Sequence, residues 1–187
     1  MGHRCQLDCA LVPHQHLNNS MNIVWFNGPS SEALHWIPPQ ELEIGCNFIQ
    51  KDRSVHHVCA YDRPVMERIS PKPSTQCWTR PAMRSPGWCV LHSAKEYFCS
   101  GTMAVGLARE LALRDVYVIG CDWDRNNISI YDHLYGRTRQ PKKKSIPRRR
   151  YIEQVHRDIG LVFVSDHRID MQVDQISHKE FLRKINC

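Results

Sequence analysis

Two acidic residues with one residue between them, Asp122 and Asp124, follow the apolar run DVYVIGC. A strand that ends in Asp-x-Asp can hold a divalent cation against a diphosphate, because two carboxylates and water satisfy the oxygen coordination of Mg²⁺ or Mn²⁺. A second polar cluster ends another apolar run: NIVWF gives way to Asn27-Gly28-Pro29-Ser30, and SEAL resumes with helical character. A hydrophobic strand that turns through glycine into a helix presents backbone N–H groups to a phosphate, although the same residues also make an ordinary tight turn. Cys5, Cys9, His14 and His16 are metal-ligand types, but the spacing C-x3-C-x4-H-x-H is far tighter than in ordinary zinc modules. The simpler expectation for residues 1–20 is a disordered or loosely packed leader, with Met21 as the natural start. His56 and His57, adjacent in SVHHVCAYD, point to opposite faces of a strand, so one is expected inward as a hydrogen-bonded core residue.

These groups need a scaffold, and the pattern alternates. Strand-like runs rich in β-branched and aromatic residues occupy 22–27, 41–49, 54–61, 87–92, 115–121 and 159–165. Candidate helices lie at 31–36, 63–69, 100–113, 146–158 and 177–185. In SGTMAVGLARELALRD, Ser100 is placed to cap a helix whose small residues allow close packing on a sheet. Strand, helix, strand with short connections predicts an α/β fold, a Rossmann-like three-layer α/β/α with a mostly parallel sheet. The Pro-rich stretch 71–86 reads as a long irregular connection, a flap over the sheet edge. Asp122, at the carboxyl end of a strand, lies where open α/β sheets bind ligands.

The chain has 187 residues and a net charge of +6. That length forms one domain, residues 21–187, large enough to bury its own core. Residues 137–150, RTRQPKKKSIPRRR, hold eight Lys and Arg and no acid, so the rest of the chain is slightly acidic. Such a basic loop attracts phosphates or nucleic acid, but it lacks the interleaved aromatics of a single-strand groove and reads first as a solvated loop. No apolar stretch approaches the roughly 20 residues of a membrane-spanning helix, and no signal peptide is evident, so a cytoplasmic protein is expected. Of the nine cysteines, Cys46, Cys59, Cys89 and Cys121 lie in apolar strand-like runs and are expected as reduced, buried thiols.

Asn27-Gly28-Pro29-Ser30 after the first strand, Cys46-Asn47 at the end of the second, Ser100-Gly101 opening a small-residue helix, and Val118-Ile119-Gly120-Cys121-Asp122 together resemble family 42 of the glycosyltransferases, the bacterial sialyltransferases. The resemblance runs through residues 21–166 in the same order and extends to Rossmann-like domains of pterin pyrophosphokinase type. It implies a nucleotide-sugar-dependent transfer from a cytidine-activated (CMP-linked) donor to an acceptor, without a required metal. It also implies that Asn27, Gly28, Ser30, Asn47, Ser100 and Gly101 hold the cytidine monophosphate part of the donor, and that Tyr131, with Tyr135 as the second candidate, stands for the family's phosphate-binding tyrosine pair.

The chain departs from that family at several positions. Tyr97 stands where an arginine is expected before Ser-Gly, and Asp124 where an aromatic is expected. The family's catalytic histidine falls near Pro141, and no histidine lies between His133 and His156. His133, beside Asp132 in IYDHLYG, is then the candidate base, since an imidazole of pKa about 6.5 can accept a proton from a sugar hydroxyl; Asp122 is the second candidate catalytic residue. Two alternatives accompany this reading. One is a nucleotide- or nucleic-acid-binding module without catalysis that uses the basic tract. The other is a pyrophosphokinase-like enzyme that needs Mg²⁺ or Mn²⁺ on Asp122 and Asp124.

Overall fold

The computed structural model of the chain describes residues 21–70, 72–96, 98–122, 130–131, 134 and 145–186. Eight parallel strands form one sheet: β1 (Asn22–Trp25), β2 (Leu42–Cys46), β3 (His57–Cys59), β4 (Gln76–Thr79), β5 (Cys89–Val90), β6 (Val116–Ile119), β7 (Leu161–Val164) and β8 (Asp174–Ile176). Their order is β5-β4-β3-β2-β1-β6-β7-β8. The chain therefore winds outward from β1 in one direction, returns to β1 and winds outward in the other. β1 pairs with β2 on one side (Trp25 opposite Gly45) and with β6 on the other (Trp25 opposite Ile119). The crevice outside the carboxyl ends of β1 and β6 is the topological switch point, where ligands bind in open α/β sheets.

Alternation along the strands sends side chains to two separate cores. Val24, Phe26, Leu42, Ile44, Cys59, Val118 and Phe163 face α2 (Ser100–Glu110) and α3 (Ser145–Ile159). Ile23, Trp25, Val58, Ile119 and Val164 face the 3₁₀ turn Pro29–Leu34, the short helix α1 (Arg63–Met66) and the C-terminal helix α4 (His178–Ile185). The result is the expected Rossmann-like three-layer α/β/α arrangement. A parallel sheet covered on both faces needs apolar residues at successive positions, and β1 and β6 are buried throughout.

One charge pair interrupts the second core. Glu43, fully buried in β2, takes a bidentate contact from Arg53 (Nε to Oε2 and Nη2 to Oε1, both 2.5 Å) and a bond from Trp25 Nε1 at 2.8 Å. Arg53 also donates to the carbonyls of His35, Ile37 and Pro38 and stacks on the Trp25 ring at 4.6 Å. This network fixes the return of the chain from the 3₁₀ turn to the start of β2.

Several expectations need correction. The stretch 71–86 is not an irregular flap: it contains β4, buried at Cys77, Trp78 and Thr79. Strand β8 was unanticipated, and its three residues are exposed or half-buried. The end of the basic tract, 145–150, forms the first turns of α3 and not a loop, while 137–144 lie outside the described residues. Cys46, Cys59 and Cys121 are reduced, buried thiols as expected, whereas Cys89 is half-buried and disulfide-bonded. Among the described residues no helix is long and apolar enough to cross a membrane.

Candidate functional site at the sheet switch point

The Asn27–Ser30 turn leaves β1 directly beside the end of β6. Gly28 N–H donates to the Gly120 carbonyl at 2.8 Å, and Ser31 closes the turn by donating to the Gly28 carbonyl from its N–H and its hydroxyl. Gly28 has an ordinary φ of −71°, so its backbone angle does not demand glycine. Space does: a Cβ there would lie 2.4 Å from Asp122 Oδ2 and 2.4 Å from the Gly120 carbonyl oxygen.

Asp122 explains that crowding. Its Oδ2 accepts from Ser30 N–H at 2.8 Å and its Oδ1 from the Ser30 hydroxyl at 2.7 Å. The carboxylate from the end of β6 thus occupies the N–H group that a strand–turn–helix would otherwise aim at a phosphate. The turn and Asp122 form one bonded unit across the switch point.

The neighbouring strand supplies a different geometry. Asn47, immediately after β2, has a left-handed backbone with φ 52°, and its N–H donates to the Cys59 carbonyl at 3.0 Å. Its Oδ1 is buried and has no hydrogen-bond partner. Cys46, one residue before, accepts a backbone hydrogen bond from Asn27, and burial raises its thiol pKa well above the usual range, helped by the nearby Cys99 and Cys59 thiols. Burial likewise raises Cys59, with Cys77 adding to it. These thiols stay neutral at physiological pH and serve as an apolar wall. Asn27 itself is buried and its carbonyl accepts from Ile130 N–H at 2.9 Å.

Helix α2 starts over the same strand ends. Cys99, not Ser100, holds the cap position: its N–H donates to the Thr102 hydroxyl at 2.7 Å. Ser100 is the first helical residue, and its hydroxyl accepts from Tyr61 N–H at 3.0 Å, which ties the helix to the end of β3. Gly101 is required by packing, since a Cβ would meet the Phe26 ring at 2.2 Å. Tyr131 is buried on the opposite face, where its hydroxyl bonds Asp52 Oδ2 at 2.5 Å and its ring meets Phe48 edge-on.

The structure therefore brings Asn27, Gly28, Ser30 and Asp122 together. It places Asn47, Ser100 and Gly101 around the adjacent strand ends and commits Tyr131 to Asp52. His133, Asp124, Tyr97 and the Cys5–His16 cluster lie outside the described residues. Among the described residues no three His, Cys, Asp or Glu side chains converge to hold a metal.

Two contributors at these strand ends were not singled out from the sequence, Tyr61 and Arg80. Tyr61 closes β3 with its hydroxyl donating to the Lys95 and Glu96 carbonyls at 3.1 and 2.7 Å, and Arg80 lies over its ring at 4.3 Å. Arg80 was hidden because it sits between prolines in a stretch that reads as irregular. Burial raises the Tyr61 hydroxyl pKa, against the opposing charge of Arg80. No protein-family model matches the chain, and no curated protein or solved structure matches it, so the fold and the geometry of these strand ends are what bear on its function.

Proposed function

We propose that the chain binds a cytidine-activated nucleotide sugar at the carboxyl ends of β1 and β2 and the start of α2, and transfers its sugar to an acceptor hydroxyl as a sialyltransferase-like enzyme. Asn47 carries this reading. A non-glycine residue in the left-handed region with a buried, unpartnered acceptor costs stability twice, and such costs gather at ligand sites. An amino or hydroxyl group of a nucleotide would satisfy Oδ1. The phosphate would face the first-turn N–H groups of α2, away from Asp122.

In the reaction, the acceptor oxygen bonds to the anomeric carbon as that carbon's bond to the cytidylate oxygen breaks. The bonding electrons leave on the phosphate, and the hydroxyl proton passes to a base. His133 is the candidate base. Asp122, engaged by Ser30 through both oxygens, fixes the turn in this reading and does not take the proton.

The test is a thermal midpoint with CMP, UMP, AMP and cytidine. CMP at a hundredfold excess over Kd should stabilise the fold by about 2.7 kcal/mol. Asn47→Gly should remove that shift and leave the apo protein folded, because glycine accepts φ 52° without strain. Should no nucleotide raise the wild-type midpoint, the reading fails. Release of CMP from a CMP-linked sugar, lost in His133→Ala and insensitive to EDTA, separates glycosyl transfer from metal-dependent pyrophosphoryl chemistry.

A further inference from the structure

Two large apolar side chains stand in solvent among the described residues, Trp36 (65% exposed) and Ile146 (61%). The indole N–H of Trp36 donates to the Ala33 carbonyl at 2.7 Å, which ties the ring to its own 3₁₀ turn. Ile146 has no such local role. It belongs to the first turn of α3, whose buried stripe is Tyr151, Ile152, Val155 and Ile159. At about 100° per residue, Ile146 falls on the side of the helix opposite that stripe, in line with Arg150 and Arg157. All three are exposed.

The charges on this face do not cancel. Arg150 and Arg157 have no acidic partner among the described residues. Of the two acids of α3, Glu153 accepts the Gln172 N–H at 3.0 Å and Asp158 lies 3.6 Å from Arg109. Arg149 is paired with Asp170 at 2.7 Å and Arg148 has contacts of its own, so neither adds to the excess. The eight residues that precede α3, 137–144, contribute five more Lys and Arg and no acid to the charge of this part of the chain. They are not part of the face described here. Cations on one helix face with an apolar side chain among them match a surface that is anionic outside and apolar just beneath. A nucleic acid duplex satisfies the cations but gives an exposed isoleucine on the same face nothing to bury against.

We infer that the outward face of α3, Ile146 with Arg150 and Arg157, docks the protein on an anionic lipid surface. This inference does not depend on the nucleotide reading. The start of α3 lies at the carboxyl ends of the strands, where Tyr151 packs on Phe98 at 4.4 Å beside the entry to α2, so docking would hold the candidate site close to the lipid headgroups.

Co-sedimentation of the full chain with lipid vesicles tests the face. The protein should bind vesicles of phosphatidylcholine containing about 30% phosphatidylglycerol, bind phosphatidylcholine alone far less, and lose affinity as sodium chloride rises. Arg150→Gln and Arg157→Gln should each weaken binding about fivefold. Ile146→Ser should weaken it at every salt concentration, and the emission of Ile146→Trp should shift to the blue on the mixed vesicles. Absence of binding to the mixed vesicles overturns the inference, as does undiminished binding by Ile146→Ser; the wild-type measurement decides even if a variant fails to fold. Retention on duplex DNA or RNA in place of vesicles would assign the face to nucleic acid and overturn it too. Nucleotides that leave the thermal midpoint unmoved while the vesicles bind count against the nucleotide reading alone, and the converse counts against this face alone.

Discussion

Glu43 and Arg53 show what a single residue can cost. Removing one charge leaves the other buried and uncompensated, so Glu43→Gln should destabilise the fold by about 3–5 kcal/mol in denaturant titrations. Replacing both partners by apolar residues should cost less than the single change, and a double variant that merely adds the two single effects would show that the pair is not coupled. His35 sits above the same network, its ring edge-on to Trp25 at 5.7 Å with Nε2 buried and unpartnered. Burial lowers its pKa, with Arg53 adding to the effect and Asp52 and Glu32 opposing it. The unfolded chain then binds a proton near pH 6.5 that the folded imidazole refuses. The contribution is full above about pH 6.5 and is lost as pH falls from there toward the lowered folded value. His35→Gln should flatten the wild-type decline between pH 7 and about 5, and parallel curves over that window would assign the decline to other groups.

At the scale of elements, α2 ends with a residue in the wrong chemistry. Ala112 has φ 53°, and Leu113 N–H reaches back to the Ala108 carbonyl at 3.1 Å, the pattern that favours glycine at the position after the cap. Ala112→Gly should raise the unfolding free energy by about 1 kcal/mol. A lower midpoint would mean that glycine's extra freedom in the unfolded chain outweighs the relief. The elements that could be read from the sequence are those with a buried face: β1, β2, β6 and β7, and α2 with its small-residue stripe. β4 was missed because Pro71, Pro73 and Pro81 flank it, and proline density reads as loop even when the four residues between are paired. β8 was missed because DQI has no apolar face to advertise; its backbone pairing with β7 makes it a strand. The site divides in the same way. The Asn27–Ser30 turn and Asn47 were legible as punctuation after apolar runs. That Asp122 binds Ser30, that Gly101 makes room for Phe26 and that Arg80 stacks on Tyr61 depend on contacts between distant segments, which periodicity does not encode.

Across the whole molecule, the strand order imposes a timetable. β1 is central, and its partner on one side, β6, lies more than 90 residues further along: Asn22 pairs with Val116. Such non-local pairing is slow to form and cannot begin until the later strand exists. At about 5–20 residues per second, a ribosome that has finished β1 takes roughly 5–20 s to deliver β6. During that interval β1 to β5 can assemble with β1 as an open edge, every residue of which is buried in the finished fold. An edge of that kind recruits other strands. A fragment ending at residue 96 should therefore self-associate, as read by sedimentation, and adding a peptide that spans β6 should reduce the association; a monomeric, folded fragment would show that β1 is protected by other means. The switch point that makes a crevice for a ligand is thus also the seam that nascent chains leave open longest, and the protein's yield in a cell would depend on what shields β1 until its second neighbour arrives.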